Sequence, residues 1–297
     1  MKALYDIMAA SAFASSVEEF AGHNLNEGHL LRFLAHMPLL RHLELDLKTF
    51  CEGRDIMNSI SSMLRLARDG TPLLRRFDYC DYNETYQTRR TKGLCSRDLF
   101  GHQLGNMLPE IEYLRFFACV SGYPLWSPQE DVHSLSSSSS SSPRKNPPPS
   151  FVFGVLPRMK TLMLSVTFPY EGSILVITDA INDSVEDFIL CVSHCFPNLE
   201  HLRLSFHSDT KGHHPRDVHF PRLGTRAFDG GRFRSLKTLH LAGLQIFAED
   251  VAELDLSKME KLTLNKMGVS QETVEALKSR KPELDIEMKG SSSRYYL

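Results

Sequence analysis

A phrase of three apolar residues, repeated along the chain, constrains this fold more than any other feature of its sequence. In FPNLEHLRLSF, residues 196–206, leucines stand at positions 199, 202 and 204, and polar residues fill the gaps between them. Because successive side chains of a strand point to opposite faces, this spacing predicts a strand with one buried and one open face. Seven good copies begin at Leu40, Leu74, Ile111, Met159, Leu199, Leu236 and Met259. A degenerate copy begins at Leu284, and a further strand that matches the pattern poorly is predicted around Val17 and Phe20.

Segments with the apolar spacing of helices separate these phrases. The predicted helices cover Asp55 to Ala67, Arg97 to Met107, Ser184 to His194 and Gln271 to Ser279. A strand followed by a helix is a βα unit, and one such unit cannot bury its apolar face alone. We therefore expect the units to stack on their neighbours around a shared core.

A (β/α)8 barrel would also fit a chain of 297 residues, but the residues in the gaps argue against it. Barrel strands are covered on both faces and read as nearly continuous apolar runs. Here the residue between the second and third apolar positions is polar in six of the seven copies: Glu44, Asp78, Arg115, Met163, Arg203, His240 and Thr263. This polar face predicts an open sheet.

The seven phrases, and the Pro-x-x that often precedes them, make the chain resemble leucine-rich-repeat proteins, specifically the long irregular repeats of F-box-type members. FPNLEHLRL and LPRMKTLML show both features, and the resemblance covers about residues 17–288. It implies an α/β horseshoe of irregular repeat length, with a curved parallel sheet on the concave face and helices and loops on the convex face. It also implies non-enzymatic protein binding, as in the substrate-binding part of a ubiquitin ligase receptor. No F-box segment is recognised before the first repeat, so we expect no binding to a Skp-type adaptor.

One stretch interrupts the repeats. Residues 127–150 are rich in serine and proline, with an unbroken serine run from Ser136 to Ser142. Such a composition cannot offset the entropy lost on ordering, so we predict a disordered insertion within one repeat. The chain is then a single domain, 1–297, and not two domains joined by a linker.

Composition narrows the classes of partner. The net charge of −2 and the pI near 6.7 give no overall basic surface, so we expect neither nucleic acid nor membrane as a partner. The six cysteines are scattered through a chain that needs no disulfides, which favours reduced thiols and a cytoplasmic or nuclear location. We expect a monomer with no cofactor.

A histidine-rich loop supplies an alternative function. His207, Asp209, His213, His214, Asp217 and His219 are suitable ligands for a divalent metal, which would make the protein a metal-dependent hydrolase. Lys211, Gly212 and Pro215 indicate a solvated loop instead, and no ligand pair has helical spacing. No P-loop or G-x-S-x-G motif is present. We therefore predict a binding protein and keep the hydrolase as the alternative.

The gaps between the leucines define the candidate binding face. Acidic residues stand near its N-terminal end (Glu44, Asp46 and Asp78) and its C-terminal end (Asp285 and Glu287), and basic and aromatic residues stand in the middle (Tyr113, Arg115, His201, Arg203 and His240). Arginine and tyrosine are enriched at binding hot spots, so we expect a protein partner that presents an acidic, partly apolar segment. The same pattern also suits a solvated strand face with charges placed for solubility.

Overall fold

The computed structural model describes residues 14–23, 36–46, 74–80, 110–119, 155–168, 185–186, 189–190, 192–208, 222–223, 231–252, 254–265 and 268–289. The predicted helices at 55–67 and 97–107, the insertion at 127–150 and the loop at 209–219 lie outside these residues.

Among the described residues, one parallel sheet of nine strands forms the framework. Its strands follow one another in chain order, each paired in parallel with the next. They are β1 (Glu19–His23), β2 (His42–Asp46), β3 (Arg76–Cys80), β4 (Tyr113–Cys119), β5 (Thr161–Phe168), β6 (His201–Ser208), β7 (Thr238–Ala242), β9 (Lys261–Asn265) and β11 (Asp285–Lys289). β8 (Gln245–Ile246) and β10 (Gly268–Val269) form a separate short pair. The nine-stranded parallel sheet confirms the predicted α/β class. Since β1 and β11 are its two ends, the sheet is open and the barrel is excluded.

The leucines of the phrase align across the sheet. Leu162 pairs with Leu202, Leu202 with Leu239, and Leu239 with Leu262. All four are at most 2% exposed. Each buried leucine contributes roughly 1.5–3 kcal/mol. Each of the nine strands places an apolar residue in this row, which ends in the partly buried Phe20 and Ile286. The core therefore extends from repeat to repeat, and no single repeat could form it alone.

A recurrent tight turn explains why proline so often precedes the phrase. The amide of the first apolar residue donates to the carbonyl three positions earlier in six repeats, beginning at Met37, Leu156, Phe196, Phe233, Leu256 and Lys281. Pro38, Pro157, Pro197 and Pro282 occupy the second position of four of these turns. Proline favours that position because its ring presets the backbone angle φ of the turn. The turn thus places the first apolar residue of each phrase in the core just before the strand begins.

Two helices are described in full beside the C-terminal strands: α1 (Ala248–Ala252) and α2 (Gln271–Arg280). Ser270 caps α2, since its hydroxyl accepts a hydrogen bond from the Thr273 amide at 3.1 Å. The α2 prediction, Gln271 to Ser279, is therefore confirmed to within one residue. Residues 185–186, 189–190 and 192–195 are also helical, within the segment predicted from Ser184.

Candidate functional site

The open face of the sheet is the face opposite the buried leucines. Strand register arranges its residues in rows that run across the strands. The first row is Glu19, His42, Arg76, Tyr113, Thr161, His201, Thr238, Lys261 and Asp285. The second row is Ala21, Glu44, Asp78, Arg115, Met163, Arg203, His240, Thr263 and Glu287. The predicted candidates all fall in these two rows except Asp46, which pairs with Cys80 in a third.

The centre of the open face is the part on β4 to β7. Its first-row and second-row residues are Tyr113, Arg115, Thr161, Met163, His201, Arg203, Thr238 and His240, a set that contains two arginines and two histidines and no carboxylate. Arg203 is exposed, whereas the others are partly buried. His201 Nδ1 and Thr238 Oγ1 are hydrogen-bonded at 2.9 Å, which orients the imidazole across two strands. The centre therefore presents positive charge and partly apolar surface.

The N-terminal flank holds the Asp78 cluster, formed by His42, Glu44, Arg76, Asp78 and Tyr113. Asp78 Oδ2 accepts hydrogen bonds from His42 Nε2 at 2.9 Å and from Arg76 Nε at 2.7 Å. The Arg76 guanidinium carbon lies 4.1 Å from the centre of the Tyr113 ring, a cation–π contact. Asp78 lies on the open face as the alternation predicts, yet its side chain is only 1% exposed. It therefore positions Arg76 and offers a partner little surface of its own.

Charge and burial shift two ionisations in this cluster. Burial is the first cause that raises the pKa of Tyr113, and the negative charge of Asp78 adds to it. Burial would lower the pKa of Arg76, but the hydrogen bond and charge of Asp78 outweigh it and the pKa is raised. Near neutral pH, Tyr113 is thus a neutral phenol and Arg76 a fixed cation. The Tyr113 hydroxyl donates to Met163 Sδ at 3.5 Å, which links the cluster to the centre.

The C-terminal flank is an ion-pair group. Lys261 Nζ lies 3.4 Å from Asp285 and 3.1 Å from Glu287. Hydrogen bonding to Glu287 is the first cause that raises the pKa of Lys261. Sequence reasoning named the two acids but missed Lys261, and it likewise missed Arg76 and His42. All three belong to the first row. Each stands two positions before the second-row residue of its own strand, so the alternation of side chains already predicts that it shares the open face.

Metal-ligating groups meet at one place in the described part of the chain. One ligand atom each from His42, Glu44 and Asp78 lie within 4.8 Å of one another. The histidine-rich loop predicted as an alternative metal site lies outside the described residues, except that His207 and Ser208 end β6. No helix among the described residues is long and apolar enough to span a bilayer.

Comparisons with known proteins add little to the geometry. No family model matches the chain, and no curated protein matches it. Among solved structures, a leucine-rich-repeat protein of Leptospira interrogans is similar, with 12% sequence identity and a TM-score of 0.35. The match covers 86% of this chain, which spans 56% of that protein's length. A likeness at this level carries no argument. The fold assignment rests on the parallel sheet and its repeated leucine rows, which are the architecture that a leucine-rich repeat predicts.

Proposed function

We propose that this protein is a non-enzymatic recognition scaffold that binds an acidic, partly apolar protein segment on the centre of its open face. The observation that carries the proposal is the distribution of charge across the two rows. The centre has Arg115 and Arg203 and no carboxylate, whereas acids outnumber basic residues on both flanks. On the N-terminal flank they are Glu19, Glu44 and Asp78 against Arg76. On the C-terminal flank they are Asp285 and Glu287 against Lys261. Opposite potentials steer a partner and fix its position on a surface.

The dimensions of the centre suit a short extended segment. Neighbouring strands are about 4.8 Å apart, so the three intervals from β4 to β7 span about 14 Å. About four residues of an extended chain cover that length. Acidic flanks would repel further carboxylates, so the segment should have its negative charge concentrated within those residues. Tyr113 and Met163 supply apolar contact beside the arginines.

A displayed peptide library, selected against the whole chain, tests this proposal. We expect the selected peptides to share Asp or Glu next to an apolar residue. The double variant Arg115→Ala, Arg203→Ala should weaken binding of a selected peptide by about 1 to 3 kcal/mol, the scale of interface hot spots.

The matched control removes two exposed arginines that lie outside the open face. Arg75 and Arg158 are about half exposed and pair with Glu112 and Glu110. The double variant Arg75→Ala, Arg158→Ala changes the net charge equally and should bind as the parent does. Equal loss of binding in both double variants would mean that net charge alone controls binding. Unchanged binding in the Arg115→Ala, Arg203→Ala variant would mean that the centre is not the binding site.

The finer role, substrate binding within an F-box-type ubiquitin ligase receptor, is supported by the sequence resemblance alone. Gel filtration of the chain with a purified Skp-type adaptor tests it directly. Stoichiometric co-elution would place the scaffold in such a ligase. Separate elution would leave the binding role without that context.

A further inference from the structure

Two carboxylates stand side by side on the N-terminal flank. In the register of β2 and β3, Glu44 pairs directly with Asp78, and His42 pairs with Arg76. Like charges directly opposite one another destabilise a sheet. Arg76 compensates part of this repulsion through Asp78 Oδ2. His42 Nε2 contacts that same oxygen, so neither contact involves the other carboxylate oxygen of Asp78, Oδ1.

Asp78 Oδ1 is buried and accepts no hydrogen bond from the part of the chain that the structure describes. The hydroxyl of the neighbouring Tyr113 does not satisfy this oxygen, because it donates to Met163 Sδ at 3.5 Å. A buried polar atom left unsatisfied costs about 1–3 kcal/mol, and more when it carries charge. A cation held between Asp78 and Glu44 would satisfy this oxygen and remove the repulsion between the two carboxylates.

We propose that His42, Glu44 and Asp78 form a binding site for a divalent transition-metal ion of the Zn²⁺ class. His42 Nε2, a Glu44 carboxylate oxygen and Asp78 Oδ1 supply three ligands, and water completes the coordination. One imidazole with two carboxylates suits Zn²⁺ and its neighbours, whereas Mg²⁺ and Ca²⁺ prefer oxygen ligands alone. Arg76 keeps its hydrogen bond to Asp78 Oδ2 and orients that ligand from outside. The ion takes the place of the His42–Asp78 hydrogen bond, so the imidazole carries its proton on Nδ1.

Two guanidinium groups oppose the ion and limit its affinity. Arg76 contacts Asp78, and Arg115 is the register partner of Asp78 on β4. Their positive charges make this site weaker than a closed site with four protein ligands. Replacing Arg115 with methionine should consequently tighten metal binding, an effect opposite to the loss expected for peptide binding. The two proposals can therefore fail independently.

Calorimetric titration of the whole chain with Zn²⁺ alone tests the site. The background variant is His213→Ala, His214→Ala, which removes two of the six candidate ligands of the histidine-rich loop and so weakens any ion binding there. We expect binding of one ion, weakened about tenfold or more by Glu44→Gln and by His42→Gln. The controls Glu287→Gln and His201→Gln make the same substitutions on the same face outside the cluster and should leave binding unchanged.

Thermal unfolding provides a second measurement that does not depend on the titration. Zn²⁺ should raise the midpoint temperature of the background variant and of both controls, because an ion that binds only the folded state stabilises it. At the same Zn²⁺ concentration it should raise the midpoint of Glu44→Gln and His42→Gln by less, and the melting of these variants without metal reports that they fold. Equal Zn²⁺ binding in these two variants and the controls, or no binding at all, would overturn the proposal.

Discussion

Arg115 and Arg203 occupy the same row of the open face, two strands apart, with Met163 between them. At strand spacing, their backbones are about 10 Å apart. Arg203 is exposed and makes no ion pair with the described part of the chain. Two arginines at this separation can contact two carboxylates of one extended segment while Met163 packs between them.

Binding to the centre should therefore depend on salt. Raising the ionic strength from about 0.1 M to about 1 M shortens the Debye length from about 10 Å to about 3 Å. A selected acidic peptide should bind the parent progressively more weakly over that range, as measured by fluorescence anisotropy. The Arg115→Ala, Arg203→Ala variant should show a flatter dependence. An equally steep dependence in both proteins would place the relevant charges elsewhere.

Gly243 has no room for a side chain. Its φ is +71°, and an added Cβ would lie 1.9 Å from the carbonyl oxygen of Phe206 in the neighbouring repeat. Both the backbone angle and the contact oppose alanine, so Gly243→Ala should lower the free energy of unfolding by more than about 3 kcal/mol. Urea denaturation measures this loss.

Gly231 is the matched control for that substitution. Its φ is +69°, but an added Cβ would meet the flexible Arg234 side chain, at 3.0 Å from Nε. Gly231→Ala should therefore cost only the backbone strain, about 1–2 kcal/mol. Equal losses in the two variants would mean that the Phe206 contact relaxes without cost.

Asp250 connects α1 to the residues before it. It is fully buried and accepts hydrogen bonds from the Phe247 amide at 2.9 Å and from Arg222 at 2.9 Å. Hydrogen bonding to Asp250 is the first cause that raises the pKa of Arg222. Asp250→Ala should lower the free energy of unfolding by about 2–3 kcal/mol, because the amide loses its acceptor and Arg222 its buried partner.

The neighbouring Glu249 separates burial from charge in this test. It also contacts Arg222 at 2.9 Å, but its side chain is 62% exposed. Glu249→Ala should change the free energy of unfolding by less than about 1 kcal/mol. A loss as large as that of Asp250→Ala would show that burial is not the deciding factor.

Stability should fall in acid partly through Glu200. The Lys237 ammonium hydrogen-bonds Glu200 at 2.6 Å, and this is the first cause that lowers the pKa of Glu200. A depressed pKa in the folded state stabilises it fully above 4.5, the ordinary value for glutamate. That contribution is lost as the pH falls through the depressed pKa. Below about pH 4.5, the midpoint of urea denaturation should decline less steeply in Glu200→Gln and in Lys237→Met than in the parent. An unchanged decline in either variant would refute this linkage.

The serine-rich insertion remains a prediction from composition. Replacing residues 134–150 with a short glycine linker should change the free energy of unfolding by only about 0.5 kcal/mol, as for surface changes that remove no packing. Limited proteolysis should cut the parent there first. A large cooperative loss of stability would mean that this segment packs against the domain and that the single domain is not simply interrupted.

The repeated phrase was sufficient to predict strands with one buried and one open face, and the family resemblance added that they form a parallel sheet. Leucine spacing placed Leu162, Leu202 and Leu239 in one buried row, and alternation placed Arg115 and Arg203 on the opposite face. Both are local properties of a strand, because each residue's face follows from its position along its own backbone. The strand class and the open face were therefore readable from the chain alone.

Contacts between strands could not be read in that way. His42 and Asp78 are 36 residues apart and meet only because β2 and β3 pair in one particular register. The meeting of three metal-ligating groups depends on the same pairing, and the stacking of Arg76 on Tyr113 depends on the pairing of β3 with β4. Sequence determined which face each side chain occupies, and tertiary structure decided its neighbours, because register is set by the packing of whole repeats against one another.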